Sequence, residues 1–250
     1  MLALLFALFC FVAYLCGSVS FAIITTKAFT GGDVRESGSG NAGMTNVMRT
    51  AGFLPGVITF FGDCIKAVAA VSLGKYILPA IAQETCLNLT DETLAVLPIY
   101  GALLTGFFCL LGHMFPLFFG FRGGKGIVTA AGTMLVLDWR IFLMEIGVFL
   151  ILFLITRIIS VGSLSAALAY PLTAWLCFGV FPPADSVNGV AIFMEGSPAL
   201  SMPLIVPLAA ACTSILVIIK HKDNIRRLFK GEEKKLTLKK KKQPEEVVEQ

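Results

Sequence analysis

Long apolar runs are the feature that most constrains this chain. They occupy residues 2–24, 53–81, 93–112, 127–137, 141–156, 162–181 and 201–219. A helix needs about 20 such residues to cross ~30 Å of hydrocarbon. With 56% hydrophobic residues, 14% charged residues and a mean hydropathy of +0.84, the chain does not have the composition of a soluble globular protein. We expect an all-α, polytopic membrane protein with seven transmembrane helices.

The distribution of lysine and arginine predicts the orientation of these helices, because basic residues are retained on the cytoplasmic side. No basic residue precedes Lys27, so we expect the N-terminus outside and the C-terminus in the cytoplasm. With seven crossings, all of the 20 basic residues lie inside except Lys66, Lys75 and Arg140. Merging the short fourth run with the fifth gives six crossings and places the tail lysines outside, so we prefer seven.

The chain reads as one domain with a polar extension. Residues 1–233 are expected to form the transmembrane domain, whereas residues 234–250 (KKLTLKKKKQPEEVVEQ) are too polar to bury a core. The first run has no basic region before it and no A-x-A site after it, which favours an uncleaved helix. The seven cysteines have no C-x-x-C spacing and mostly lie in apolar runs. We therefore expect neither a metal nor a cofactor.

Four polar, glycine-rich or basic segments stand out, and the predicted topology places each at the cytoplasmic ends of helices. They are residues 37–49 (SGSGNAGMTNVMR), 112–126 (GHMFPLFFGFRGGKG), 156–165 (TRIISVGSLS) and 220–233 (KHKDNIRRLFKGEE). Their position on one face of the membrane predicts that they form one common site.

The first polar segment is suited to binding a phosphate. Small residues let backbone N–H groups converge on an anion, particularly where a helix begins just beyond. TNVMRTAG reads as that helix start, with Thr45 or Asn46 as the N-cap. Arg49 would lie about one turn further along and bind a phosphate through two hydrogen bonds. An ordinary capped turn with an arginine at the membrane edge is the alternative, but the density of glycine and asparagine favours phosphate binding.

The second polar segment offers positive charge beside glycines, which let the chain pass close to a ligand. Arg122 and Lys125 supply the charge, but the segment is not a Walker A loop, since that motif needs other residues at Phe119 and Gly126. His113 is one of only two histidines, so a multi-histidine metal site is excluded. A catalytic histidine and an anchoring polar group both remain open.

Asp63 and Lys66 lie in an apolar run, where lone charges are costly. Their i,i+3 spacing predicts a pair that holds its helix in the bundle. A direct role in the site is the alternative.

Three stretches resemble, in order, motifs of the bacterial membrane glycerol-3-phosphate acyltransferases that take acyl phosphate as donor, the PlsY type. They are GSGNAGMTNVMRTAG, GHMFPLFFGFRGGKG and HKDNIRRLFKGEE, and the resemblance covers about residues 1–233. Met44 stands where Ala is more usual, Ser20 stands where many members have Pro, and the lysine-rich tail is an addition. None of these departures removes a charged group.

The resemblance implies an enzyme that transfers an acyl group from acyl phosphate to the sn-1 hydroxyl of glycerol-3-phosphate. The products would be lysophosphatidic acid and inorganic phosphate, in the first step of phospholipid synthesis at the cytoplasmic side of the bacterial inner membrane. The implied partners are these two substrates and the bilayer, without nucleic acid, and the oligomeric state stays open. A transporter for a phosphorylated solute is the competing function, although it predicts polar groups near the bilayer midplane.

The resemblance also implies roles for individual residues. The catalytic positions are Ser39, Arg49, His113, Lys125, Asn224 and Glu233. The substrate-binding positions are Gly38, Gly40, Asn41, Gly43, Thr45, Asn46, Gly123, Gly124, Gly126, Ser160 and Ser163. The first motif would bind a phosphate, and the glycines of the second would form the glycerol-3-phosphate pocket. Either His113 or a phosphate oxygen of a substrate would accept the proton.

Overall fold

The structure, a computed structural model, describes residues 1–87, 89–181 and 202–235, and its regular elements are helices. The α-helices are α1 (Leu2–Ser18), α2 (Phe21–Thr30), α3 (Met44–Thr50), α4 (Phe53–Ser72), α5 (Leu78–Thr85), α6 (Asp91–Met114), α7 (Ile127–Leu137), α8 (Trp139–Thr156), α9 (Ile159–Trp175), α10 (Met202–Lys220) and α11 (Lys222–Phe229). Short 3₁₀ turns lie at Val34–Glu36 and Leu117–Phe119, and π-helical turns follow α4 at Leu73–Ile77 and α9 at Leu176–Val180. The expected all-helical class is confirmed.

Five helical segments are long and apolar enough to cross a membrane. They are Leu2–Thr30, Phe53–Thr85, Asp91–Phe119, Trp139–Thr156 and Ile159–Val180. The segments 204–220 and 222–229 pass the same test only together, and a 62° bend separates them. α7 is apolar, but its 11 residues rise only ~16 Å. A multi-pass membrane protein is therefore confirmed, whereas seven crossings and the orientation of the termini stay predictions.

α7 and α8 are separate helices joined at a single residue. Asp138 adopts an extended conformation (φ −158°) between them, and its side chain accepts a hydrogen bond from the Arg140 N–H at 2.9 Å. This N-cap ends one helix and starts the next. The runs at 127–137 and 141–156 thus do not merge into one helix.

Glycines allow α1 and α6 to lie very close together. A Cβ on Gly17 would meet the Cys109 carbonyl oxygen at 2.0 Å, and one on Gly112 would meet the Tyr14 carbonyl oxygen at 2.1 Å. Small residues at such positions let backbones approach in membrane bundles. The Tyr14 hydroxyl also donates to the Phe115 carbonyl at 2.8 Å, which fixes the chain where it leaves α6.

Two of the basic residues predicted to lie away from the cytoplasm bind the carboxyl ends of helices. The Lys75 ammonium donates to the carbonyl oxygens of Val136 and Leu137 at 2.6 and 3.1 Å, where α7 ends. The Arg140 guanidinium pairs with Asp138 at 2.6 Å and donates to the carbonyls of Cys177, within the π turn after α9, and Phe181, just beyond it. Cations at helix C-termini are stabilised by the helix dipole and by unpaired carbonyls.

The main apolar core lies between α4, α6, α7, α8, α9 and α10. Its largest buried members include Leu103, Met134, Ile141, Tyr170 and Val206. Large apolar side chains are also exposed along the outer surfaces of the helices, as is typical of helices that face lipid. Packing of these helices around the core fixes the positions of the helix ends, where the polar segments lie.

Candidate active site

The first polar segment is shaped by the side chain of Asn46. Asn46 Oδ1 accepts a hydrogen bond from the Ser39 N–H at 2.8 Å, and Nδ2 donates to the carbonyls of Val34 and Ser37 at 2.9 Å each. Asn46 is buried, so its amide is engaged by the loop itself. This places Asn46 as the residue that holds the loop in position.

The prediction that Thr45 or Asn46 caps the following helix is wrong. α3 begins at Met44, and its N-cap is Gly43, which is extended (φ −155°) and provides no side-chain hydrogen bond. Asn46 fails as a cap because its amide turns back to the preceding loop. Thr45 lies beside it in the first turn, half-buried.

Two glycines of this loop have left-handed backbones that favour glycine. Gly38 has φ +66° and Gly40 has φ +70°. A Cβ on Gly38 would also lie 2.2 Å from Asn46 Oδ1, so the Asn46 contact requires a glycine there. Ser39 between them is exposed and Asn41 is half-buried. The predicted residue Ser39 is thus accessible at the surface of a fixed loop.

Arg35 connects the first polar segment to the second. Its guanidinium pairs with Asp33 at 2.6 Å, and Nη1 donates to the Phe119 carbonyl at 2.7 Å. The hydrogen bonds from Arg35 lower the pKa of the Asp33 carboxyl below its usual value. Sequence reasoning missed Arg35 as a site residue. The Asp-x-Arg spacing, in which one aspartate both caps a turn and pairs with the arginine, is the signal that could have identified it.

Gly124, in the second polar segment, lies against the first polar segment and the end of α6. A Cβ there would lie 2.2 Å from His113 Nε2 and 2.6 Å from the Ala42 carbonyl oxygen. A Cβ on Gly123 would meet the His113 carbonyl oxygen at 2.0 Å, and the Gly124 N–H donates to that oxygen at 3.1 Å. Gly126 has φ +82° where α7 starts. These predicted glycines therefore permit close contact between the second segment, the end of α6 and the first segment.

His113 is held by the buried pair predicted in α4. Lys66 Nζ lies 2.7 Å from Asp63 Oδ1, 3.1 Å from His113 Nδ1 and 2.7 Å from the Val19 carbonyl oxygen. The pair thus joins α4 to α6 and to the break between α1 and α2, as expected of a structural pair. It also contacts His113, a predicted site residue. If the ammonium donates to Nδ1, the ring hydrogen lies on Nε2.

A network of side chains brings together the second, third and fourth polar segments. Lys125 Nζ donates to Asn224 Oδ1, and Asn224 Nδ2 donates to Glu233 Oε1 at 2.6 Å. The Ser160 hydroxyl donates to the same oxygen at 2.8 Å, and Arg227 Nε donates to Glu233 Oε2 at 2.5 Å. Arg227 was not predicted, although its i+3 spacing from Asn224 on α11 is a signal for it.

The charges of this network shift two pKa values. Burial, together with the nearby charges of Arg227 and Arg49, lowers the pKa of Lys125 to about 8, although Glu233 opposes the shift. Burial opposes ionisation of Glu233, but hydrogen bonds from Arg227, Ser160 and Asn224 outweigh it and keep its pKa below the usual value. The site thus combines an ionised carboxylate with a lysine that titrates close to neutral pH.

The remaining predicted residues flank this network. Arg49 is exposed on α3, and its charge acts on Lys125. Ser163 is buried about one turn along α9 from Ser160. Within the described ranges, no group of three or more histidine, cysteine or acidic side chains is arranged to bind a metal ion. The structure thus gathers all four polar segments around Lys125 and the first loop.

Comparison with known proteins identifies the family of this chain. A family model described as "Glycerol-3-phosphate acyltransferase" matches residues 7–231. The chain belongs to the glycerol-3-phosphate acyltransferase family. The family resemblance inferred from the three motifs is therefore confirmed.

Curated relatives cover nearly the whole chain. A "Glycerol-3-phosphate acyltransferase" of Jannaschia sp. (strain CCS1) is 35% identical over 234 residues, which cover 94% of each chain. The protein of that name from Nostoc sp. (strain PCC 7120 / SAG 25.82 / UTEX 2576) is 33% identical over 225 residues, or 90% of this chain and 89% of the relative.

The fold is similar to two crystal structures of PlsY (YgiH), described as an integral membrane glycerol 3-phosphate acyltransferase. The glycerol 3-phosphate form is 30% identical, with a TM-score of 0.67 over 93% of this chain and 96% of that chain. The lysophosphatidic acid form is 29% identical, with a TM-score of 0.65 over 93% and 95%.

Proposed function

We propose that this chain transfers an acyl group from acyl phosphate to the sn-1 hydroxyl of glycerol-3-phosphate. The products are 1-acyl-glycerol-3-phosphate and inorganic phosphate. Family membership supports the acyltransferase class, and the forms named for the PlsY structures support the acceptor and the product. The observation that carries the proposal is the meeting of the two glycine-rich segments, where a Cβ on Gly124 would lie 2.6 Å from the Ala42 carbonyl oxygen.

The reaction needs two phosphate groups held close together. The acceptor hydroxyl oxygen attacks the acyl carbonyl carbon, the new ester C–O bond forms, and the anhydride C–O bond breaks with its electron pair leaving on phosphate. Arg49 and Lys125 offset the charge repulsion between the two anions, and backbone N–H donors stabilise the developing oxyanion. Asn224 and Glu233 orient Lys125 for this task.

The hydroxyl proton needs an acceptor. His113 Nδ1 lies 3.1 Å from Lys66 Nζ and 3.5 Å from Asp63 Oδ1, so an Nε2–H ring can accept from the ammonium and an Nδ1–H ring can donate to the carboxylate. The proton acceptor is either His113 Nε2, in the Nδ1–H tautomer, or a phosphate oxygen of the substrates. Inorganic phosphate is a good leaving group, so little general-acid assistance is needed.

The proposed location of the site is the cytoplasmic face of the bacterial inner membrane. It follows from seven crossings with the N-terminus outside, because all four polar segments then share the inner face. The acyl chain stays in lipid while both phosphates stay hydrated. Labelling of single cysteines at positions 39 and 125 in a cysteine-free background tests this, since opposite sidedness contradicts the proposed site.

Purified protein in detergent tests the activity directly. With acyl phosphate and glycerol-3-phosphate we expect equal amounts of phosphate and lysophosphatidic acid, whereas an acyl thioester donor should give neither product. The competing transporter is tested in the same preparation: uptake of labelled glycerol-3-phosphate into proteoliposomes without turnover would favour transport over catalysis.

Three variants test the site residues. Ser39→Ala, Arg49→Ala and Lys125→Ala should each remain folded and inserted but lose about 10²-fold or more in turnover. Two of them remove cations that hold the phosphates, and Ser39→Ala removes the hydroxyl at a position that the family resemblance implies to be catalytic. Ser37→Ala and Lys27→Ala are matched controls at exposed positions. Wild-type rates in all three site variants would refute the assignment.

We further propose that residues 1–233 carry the activity. Deletion of residues 234–250 should leave turnover largely unchanged, because the described contacts of the site end at Glu233. A collapse of activity in that deletion variant would show that the tail takes part.

A further inference from the structure

α11 has two faces with different surroundings. Its inner face carries Asn224 and Arg227, which bind Glu233. Its outer face is formed by residues that recur every three or four positions and are exposed: Lys222, Arg226, Phe229 and the following Lys230. We call these four residues the outer face of α11.

The outer face combines cations with an exposed aromatic ring. Phe229 is 90% exposed, which is unfavourable in water for so large an apolar side chain. Lys222, Arg226 and Lys230 surround it along the helix. Lysine and arginine beside an exposed phenylalanine are typical of helices that lie in the headgroup region of a bilayer.

The position of α11 agrees with such a location. α11 follows directly after α10 and is bent from it by 62°. The bend is fixed at its start, because the Lys220 ammonium donates to the Met114 carbonyl at 2.8 Å and lies 4.1 Å from the centre of the Phe115 ring. With α10 as the seventh predicted crossing, a short helix bent from it by 62° runs closer to the membrane plane than across it.

The outer face keeps a net positive charge, since its three cations outnumber the exposed acidic neighbours Asp223 and Glu232. Across residues 1–87, 89–181 and 202–235, the ion pairs within 4.0 Å involve other cations. Cations at a membrane surface attract anionic lipids. We propose that the outer face of α11 binds anionic phospholipid headgroups, with the Phe229 ring inserted beneath them.

This contact has a consequence for the site. Anchoring the outer face also restrains Asn224 and Arg227 on the opposite side of the same helix, and these residues hold Glu233 and, through Asn224, Lys125. Anionic lipid should therefore raise kcat. This consequence rests on the proposed activity, whereas the lipid contact itself does not.

A fluorescent probe tests the lipid contact without measuring activity. Phe229→Trp is introduced into a background in which Trp139 and Trp175 are phenylalanine, and the protein is placed in nanodiscs with brominated acyl chains on either phosphatidylglycerol or phosphatidylcholine. We expect blue-shifted emission. Brominated phosphatidylglycerol should quench it at least about threefold more strongly than brominated phosphatidylcholine, because the cations enrich anionic lipid locally.

Two sets of charge variants locate the effect. The first set replaces all three outer-face cations with Lys222→Gln, Arg226→Gln and Lys230→Gln. It should abolish the preference for the anionic lipid. A matched set removes the same charge elsewhere on exposed positions and should retain the preference: Lys27→Gln, Lys234→Gln and Lys235→Gln. Monodisperse elution of each variant confirms folding.

Three outcomes would overturn the proposal. Red-shifted emission that neither lipid quenches would place the outer face in water and favour an acidic protein surface as its partner. Equal quenching by both lipids would mean insertion without recognition of the headgroup charge. Equal loss of preference in both charge sets would assign the effect to net charge and not to α11.

Discussion

Asn224 Nδ2 lies 2.6 Å from Glu233 Oε1, and this hydrogen bond connects α11 with the last part of the described chain. The other end of the same amide accepts from Lys125, on the loop before α7. A carboxylate at one end of the chain thus orients a cation nearly 110 residues away. Because amide and carboxylate are both engaged, the position of Lys125 depends on the charge of Glu233.

Removing that charge should disable the site without unfolding the bundle. Glu233→Gln keeps the shape but leaves Arg227 without its carboxylate and offers an amide N–H₂ where Asn224 also donates. We expect kcat/KM for glycerol-3-phosphate to fall about 10²-fold through misplacement of Lys125. The melting temperature in detergent should change little. Glu232→Gln is the control at an exposed neighbour, and an equal loss in both variants would contradict the network.

The pH dependence of kcat/KM should report Lys125. Its cation is the protonated form, and its pKa is lowered to about 8 by burial and nearby positive charge. The cation is therefore present below this pH and is lost as pH rises through it, so kcat/KM should fall with an alkaline midpoint near pH 8. In Lys125→Arg the activity is lower, but the guanidinium stays charged and the alkaline limb should move upward. An unchanged limb would assign the titration to another group.

A single methyl group at Gly124 should separate the two loops. In Gly124→Ala the new Cβ would meet His113 Nε2 at 2.2 Å and the Ala42 carbonyl oxygen at 2.6 Å, so the loops must move apart. We expect a stability loss of about 1–3 kcal/mol and a larger proportional loss of turnover. Gly32→Ala is the control, since its nearest contact is 3.7 Å away. Similar activities of the two variants would contradict the close contact.

The buried pair in α4 should be needed for folding as a pair. Lys66→Met leaves the Asp63 carboxylate buried without its cation and should destabilise the protein by about 3–5 kcal/mol. Adding Asp63→Asn to this variant removes the isolated charge and should restore a large part of the lost stability. Unfolding in mixed micelles measures both variants. If Lys66→Met left the free energy of unfolding unchanged, the ammonium at 2.7 Å from Asp63 would contribute little to stability.

The sequence by itself determined the class of the protein. Apolar runs of this length must satisfy their backbone hydrogen bonds internally, so helices in a membrane were the available solution. The three motifs identified the family because each is long and their order is fixed. The same pattern did not predict the cap of α3, because Asn46 is chemically able to cap the helix or to hold the preceding loop.

Tertiary structure decided which partner each polar side chain takes. Lys66 meets His113 across 47 residues and Lys125 meets Asn224 across 99, and neither pairing follows from local spacing. Arg35 and Arg227 were likewise not predicted as site residues, because their contacts with the site depend on how the helices and loops pack. The physical cause is that a buried polar group must find a partner, and packing of the helices decides which partners lie within reach.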